Sequence, residues 1–141
     1  MPDEIAIQQL LNRYSEGCSL RDWDQVMSTF VEEGVWEVPA IGQRVQGHAA
    51  LRPAMSGFAE MFDYFVQINS PATIHAEGDR ATARSIIREC GKFSGKHEAL
   101  EVLGYYADEI VRTGDGWKFA RRTFTGSGMH RFALLPGPPL G

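Results

Sequence analysis

Among the residues whose type and position suit a site, most are amides or hydroxyls rather than acids. Glu89 is the exception. Between Ala81 and Glu89 the odd positions carry Ala, Ala, Ser, Ile and Glu, and the even positions carry Thr, Arg, Ile and Arg. Two arginines mark the even face as wet, so strand alternation turns Glu89, with Ile87, toward a core or pocket. A carboxylate there without a cation has a raised pKa and can serve as general acid or base near neutrality. The competing reading is a carboxylate at a strand end, solvated or paired with Arg122 or Lys92. Tyr14 lies on the apolar stripe of the first helix, either as a core tyrosine with a satisfied hydroxyl or as a donor that polarises a substrate oxygen. Gln67 and Asn69 are two residues apart on one strand face. Amides both donate and accept, so the pair suits a carbonyl or phenol ligand but shuttles no proton; the alternative is a pair of satisfied core amides. Ser19 and Cys18 stand near a helix end, where capping competes with ligand contact. Trp36 shares a strand face with Val38 and reads first as core, then as pocket wall.

Other chemistries lack their residues. His48, His75, His97 and His130 show no His-x-x-x-His spacing with a carboxylate, so no metal is expected. Gly126-Ser127-Gly128 follows a strand but lacks the further glycine and helix of a dinucleotide fingerprint, and no cofactor is expected. The 14 Lys and Arg against 18 Asp and Glu leave a net charge of −4, with the basic residues scattered. That speaks against nucleic acid as a partner. No apolar run is long enough to span a membrane, and no opening segment reads as a secretory signal. Cys18 and Cys90 have no metal-type spacing and fit reduced thiols in a cytoplasmic protein.

The elements that must hold these residues follow from periodicity. With 141 residues, 43% of them hydrophobic, the chain fits one domain. Asp3 can cap a first helix whose apolar face runs Ile7, Leu10, Leu11, Tyr14 and Cys18, with Gly17 weakening its last turn. Asp22 caps a second helix, with Gln25 as capping-box partner, a stripe of Val26, Met27, Phe30 and Val31, and Gly34 as its end. Val35–Val38 alternates as a short strand stopped by Pro39. Gly47 opens a third helix with Leu51, Met55, Phe58 and Met61 on one side, and Pro53 sits in its first turn or kinks it. Four long strands follow over 64–76, 80–93, 100–113 and 117–125, with tight turns at Glu77-Gly78-Asp79 and Gly114-Asp115-Gly116. The stretch from Gly126 to Gly141 reads as a loose tail. Three helices followed by an antiparallel meander make an α+β domain.

Several segments in this order resemble the SnoaL-like proteins of the NTF2-like superfamily: Arg13-Tyr14, Asp22-Trp23-Asp24, Gly34-Val35-Trp36-Glu37, Gly78-Asp79-Arg80-Ala81, Gly104-Tyr105-Tyr106-Ala107-Asp108, and Asp115-Gly116-Trp117-Lys118-Phe119 with Arg122. The resemblance covers residues 5 to 125 and implies a domain over 1–125, with 126–141 as its tail. It also implies a cone-shaped α+β barrel, a strongly curved, mostly antiparallel sheet wrapped around the N-terminal helices, a closed apolar pocket and a homodimer. The family includes polyketide cyclases, scytalone dehydratase-like lyases and ketosteroid isomerase-like enzymes, besides members with no known activity, so fold alone does not settle function. Similar lyases and cyclases use a Tyr and an Asp from the first helix and a His on the first long strand. Tyr14 matches the tyrosine. Ser19 stands where the Asp is expected and Gln67 near where the His is expected, so Asp/His proton abstraction does not carry over to this chain.

Three readings follow. The first is a cofactor-free lyase, isomerase or cyclase for a small hydrophobic oxygenated molecule, aromatic or polycyclic. In it Tyr14 polarises an oxygen, Glu89 moves the proton, and Gln67, Asn69, Ser19 and Trp36 orient the ligand. The second is a non-catalytic binder of such a molecule, favoured by Ser19 and Gln67. The third is an interaction module with a filled interior that dimerises through the outer sheet face. Asp108 and Arg122, facing each other on neighbouring strands, read as a structural pair or part of that dimer surface.

Overall fold

The first helix forms where the sequence predicts it. α1 spans Asp3–Leu20 and buries Ile7, Leu10, Leu11, Tyr14 and Cys18 along one stripe, with Asn12, Arg13 and Glu16 facing solvent. The computed structural model describes residues 1–137; the part of the expected tail from Pro138 to Gly141 lies outside the described residues. Asp3 does not cap α1. Pro2 holds the N-cap position, and the Asp3 carboxylate instead accepts from Arg112 (3.2 and 3.1 Å) and Trp117 Nε1 (3.3 Å). At the other end Arg21 adopts a left-handed conformation (φ 59°), and the Asp22 N–H closes onto Gly17 O at 2.9 Å. That conformation is costly for a non-glycine residue. The Arg21 guanidinium offsets the cost by donating to Ala59 O (3.1 Å) and Phe62 O (2.6 Å). Gly17 serves close packing: a Cβ there would lie 2.7 Å from Val26 Cγ2 on the next helix.

That helix, α2, is short. It runs Trp23–Ser28 with Asp22 as its N-cap, whose side chain accepts from Gln25 N. The Gln25 side chain does not complete a capping box; it bonds Arg13 O and Glu16. The stripe that reads as helical through Val31 is cut at Thr29, and β1 spans Phe30–Val38. Gly34 therefore ends no helix. It lies in a register shift of β1 against β7, where a Cβ would meet the Phe30 ring at 2.8 Å. A 3-10 turn over Pro39–Ile41 and a short strand β2, Gln43–Gln46, follow. α3 covers His48–Ala59 and carries Pro53 inside rather than in its first turn.

The segment 64–76 is two strands, β3 (Phe62–Asn69) and β4 (Thr73–Glu77), parted at Ser70-Pro71-Ala72. β5 (Arg80–Phe93), β6 (Glu98–Thr113) and β7 (Gly116–Ala133) complete the meander. β7 does not stop at Thr125. Residues to Ala133 pair with β6 down to Glu98, past a register shift at Ser127, so the expected loose tail is strand over Gly126–Ala133. The sheet order is β2-β1-β7-β6-β5-β3, with β4 also pairing β5. All pairings are antiparallel except β1 with β7. The architecture is α+β, a curved sheet packed on the helices and left open between β2 and β3. The main core lies between α1 and the sheet, built from Ile7, Leu10, Tyr14, Phe30, Ile87, Tyr106 and Phe119 among others. A smaller cluster of Phe62, Phe65 and Leu100 fills the far end.

Candidate functional site

Strand register fixes what faces the helix. Gln67, Glu89, Val102 and Met129 are direct partners across β3, β5, β6 and β7 and form one rung of the inner face. Nearer the core, Tyr106 pairs with Phe124, and Asp108 pairs with Arg122, which is itself opposite Trp36. Small residues let the layers close. A Cβ on Gly104 would collide with Thr125 O and lie 2.6 Å from the Phe124 ring.

The innermost group is a buried ion pair within an aromatic box. Arg122 donates from Nε to Asp108 Oδ1 (2.7 Å) and from Nη2 to Oδ2 (3.0 Å). Its guanidinium carbon lies 3.9 Å from the Tyr106 ring centroid, 4.2 Å from Phe119 and 4.4 Å from Tyr14. The two side chains are 2% and 0% exposed, so the pair belongs to the interior and not to a dimer surface. Burial works against the Arg122 charge, but the Asp108 carboxylate outweighs it and holds the guanidinium pKa above its ordinary value. Burial also drives the Asp108 carboxyl up, against Arg122. With a permanently charged guanidinium in bidentate contact, the pair is ionised.

Above this box runs a chain of donors. Trp36 Nε1 donates to the Tyr106 hydroxyl at 2.9 Å, and the Tyr106 and Tyr14 hydroxyls lie 3.5 Å apart. Burial pushes both phenols well above their usual pKa, so both keep their protons. Both side chains are almost fully buried, 2% exposed for Tyr14 and 1% for Tyr106. The accessible part of the inner face thus stops short of these hydroxyls. It consists of Glu89, Gln67, Trp36, Val102 and Phe124, each partly exposed.

Glu89 holds the open end. Solvent reaches part of it, but protein encloses most of the carboxyl, and burial raises its pKa to about 7 against a smaller opposing pull from Arg122. Arg122 is bound to Asp108, and Lys92 pairs with Asp63 instead, so neither expected partner neutralises Glu89. Cys18 faces the same region from α1. Burial, followed by the Glu89 charge, moves its thiol pKa up to about 12, which removes it as a nucleophile.

The remaining predicted site residues lie elsewhere. Ser19 Oγ donates to Ser15 O (2.8 Å) and accepts from Gln67 N (2.9 Å), fastening α1 to β3. The Asn69 amide donates to Asn12 Oδ1 (3.1 Å) and Ser70 O (3.3 Å) on the same seam. The structure therefore brings Tyr14, Trp36, Gln67 and Glu89 to the inner face and leaves Ser19 and Asn69 as fasteners. Tyr106, which links Tyr14 to Trp36, is absent from the predicted set. Its signal was available, since Tyr106 and Asp108 share the inward parity of one strand. Two shallow depressions of about 660 and 580 Å³ lie on the opposite, outer face around His75, Thr82 and Glu109, away from these groups. Among the described residues no cluster of three His, Cys, Asp or Glu could hold a metal ion, and no helix is long and apolar enough to cross a membrane.

Comparison with known proteins places this arrangement in context. The model of a SnoaL-like domain matches residues 1–123. An uncharacterised protein of Mycobacterium tuberculosis is 27% identical over 124 residues, which cover 87% of this chain and 84% of the relative. A crystal structure of a proposed aromatic ring hydroxylase from Novosphingobium aromaticivorans superposes with a TM-score of 0.85 at 27% identity, over 94% of this chain and 96% of that one. A proposed scytalone dehydratase from the same organism superposes with a TM-score of 0.82 at 21% identity, over 96% and 91%. The last of these likenesses speaks to the fold alone.

Proposed function

Because the chain belongs to the SnoaL-like domain family, we propose that it is a cofactor-free acid–base enzyme of the lyase, isomerase or cyclase type. Its substrate is a small hydrophobic oxygenated molecule, aromatic or polycyclic, bound at the open end of the inner face. The observation that carries this reading is Glu89, an enclosed carboxyl with no ion-pair partner among the described residues and a pKa of about 7. Such a group is part base and part acid at neutral pH. As carboxylate it takes a proton from the carbon beside a carbonyl, and the released electron pair moves onto the carbonyl oxygen. Trp36 Nε1 is the donor nearest the accessible face, and to serve that oxygen it must exchange its bond to the Tyr106 hydroxyl for one to the substrate. The proton then returns to another carbon, or to a departing oxygen that leaves as water. Val102, Phe124 and Met129 supply apolar wall.

The test uses 2-tetralone in D2O and follows loss of its α-proton signal by NMR. The expected result is exchange above the buffer rate, rising with pH through about 7, and reduced about 100-fold or more in Glu89→Gln. Two observations favour a second reading, binding without turnover: Tyr14 and Tyr106 are almost fully buried, and the usual acid and histidine positions hold Ser19 and Gln67. Saturable binding of 2-tetralone with no exchange would select it. A homodimer in the cytoplasm is part of the same proposal. The exposed Tyr64, Val66, Ile68 and Ile86 on the outer sheet face support the dimer, and light scattering of the purified protein tests it.

A further inference from the structure

Gln67 and Glu89 stand directly opposite each other in the β3–β5 ladder, both on the inner face. The Cβ atoms of such a pair are about 4.5–5.5 Å apart, which puts the two side-chain ends within reach of each other. The Gln67 backbone is pinned, its N–H donating to Ser19 Oγ at 2.9 Å. Its amide oxygen, Oε1, is buried and receives no hydrogen bond from the described residues. A buried acceptor without a donor is costly, and one is expected to be supplied. The groups facing Glu89 are Cys18 from α1, Tyr106 from β6, and Arg122 from β7 with its charge bound to Asp108. None of these bonds to Gln67 Oε1. A neutral Glu89 carries an O–H on the adjoining strand.

We propose that Gln67 is a positioning residue whose amide oxygen accepts the O–H of neutral Glu89. The bond turns the carboxyl in a fixed orientation across the inner face and favours the protonated form until a ligand binds. Gln67 transfers no proton itself. The inference rests on the acid–base reading above and adds to it the group that sets the protonation of Glu89.

Carboxyl-labelled glutamate, assigned through Glu89→Gln, lets NMR follow the Glu89 titration directly. In Gln67→Met the Glu89 midpoint is expected to fall by about 0.7 pH units, the loss of one hydrogen bond to the neutral form. An unchanged or higher midpoint overturns the proposal, since a merely polar neighbour stabilises the anion and its removal moves the midpoint up. If that variant does not fold, the unmodified protein still decides. The Gln67 side-chain carbonyl signal is expected to titrate with the same midpoint as Glu89, and a flat Gln67 signal overturns the inference. The two readings fail separately. A Glu89 midpoint near 4.5 in the unmodified protein removes the acid–base site itself, whereas a midpoint near 7 that ignores Gln67 removes only this inference.

Discussion

Arg122 and Glu89 lie on the same inner face of the sheet, separated along β6 by Tyr106 and Gly104, and their surroundings treat charge in opposite ways. Arg122 is held by two hydrogen bonds to Asp108 and covered by three aromatic rings. Glu89 is enclosed but has no cation bound to it among the described residues, and its carboxyl is moved halfway to neutrality at physiological pH. Burial is common to both, so burial alone does not mark a working group. What separates them is the partner. A buried charge with its counter-charge in bidentate contact is fixed in one state, whereas a buried acid without one stands between two states and can exchange a proton.

The largest effect is expected where the paired end is broken. Asp108→Ala leaves the Arg122 guanidinium buried without its counter-charge, and Arg122 Nη1 already has no acceptor among the described residues. Removing one member of a buried pair costs about 3–5 kcal/mol. Urea unfolding of the variant against the unmodified protein measures it. A loss under about 1 kcal/mol, the range of an exposed pair, would break the contrast between the two ends.

The open end is expected to respond with the opposite sign. The folded pKa of Glu89 is raised from 4.5 to about 7, so the folded state holds the proton more tightly than the unfolded chain. Below about pH 4.5 the carboxyl is protonated in both states and costs nothing. Between about 4.5 and 7 the unfolded chain ionises first, and stability falls as pH rises; above 7 the loss is complete. Because the side chain is partly accessible, the effect is on the order of 2 kcal/mol. Glu89→Gln removes it. The variant is expected to match the unmodified protein at pH 4 and to exceed it at pH 8 in thermal unfolding. Equal stability at both pH values would mean that Glu89 is solvated and that burial is not common to the two ends.

The sequence exposes one end of this comparison better than the other. Alternation along β5 was enough to turn Glu89 inward, because Arg84 and Arg88 mark the other face and both are exposed. The stripe of α1 was equally legible. Val26, Met27, Phe30 and Val31 misled, since four apolar residues at that spacing suit a helix and also suit a short helix running into a strand. The break at Thr29 is made by tertiary pairing: its backbone oxygen accepts from Phe119 N at 2.7 Å. The stretch from Gly126 reads as loose because chain ends are loose unless something ties them down, and in this stretch lie Gly126 and Gly128. They lie in a strand held along its length by β6, where Gly104 and Gly126 pair beside a register shift. The roles of Ser19 and Asn69 were illegible for a different reason. A small polar residue at a seam and one at a ligand site have the same composition, and only the position of the facing strand distinguishes them.

Ser19 offers the smallest and most discriminating effect. Its hydroxyl joins the last turn of α1 to the strand that carries Gln67. Ser19→Ala leaves the Gln67 N–H without its acceptor, at a cost of about 1 kcal/mol. As a fastener, Ser19 should alter thermal stability and leave the 2-tetralone exchange rate unchanged. As a ligand contact it should do the reverse. The fastener outcome follows from the geometry: a hydroxyl that donates to Ser15 O and accepts from Gln67 N has its one proton engaged, and it has none to offer a ligand oxygen.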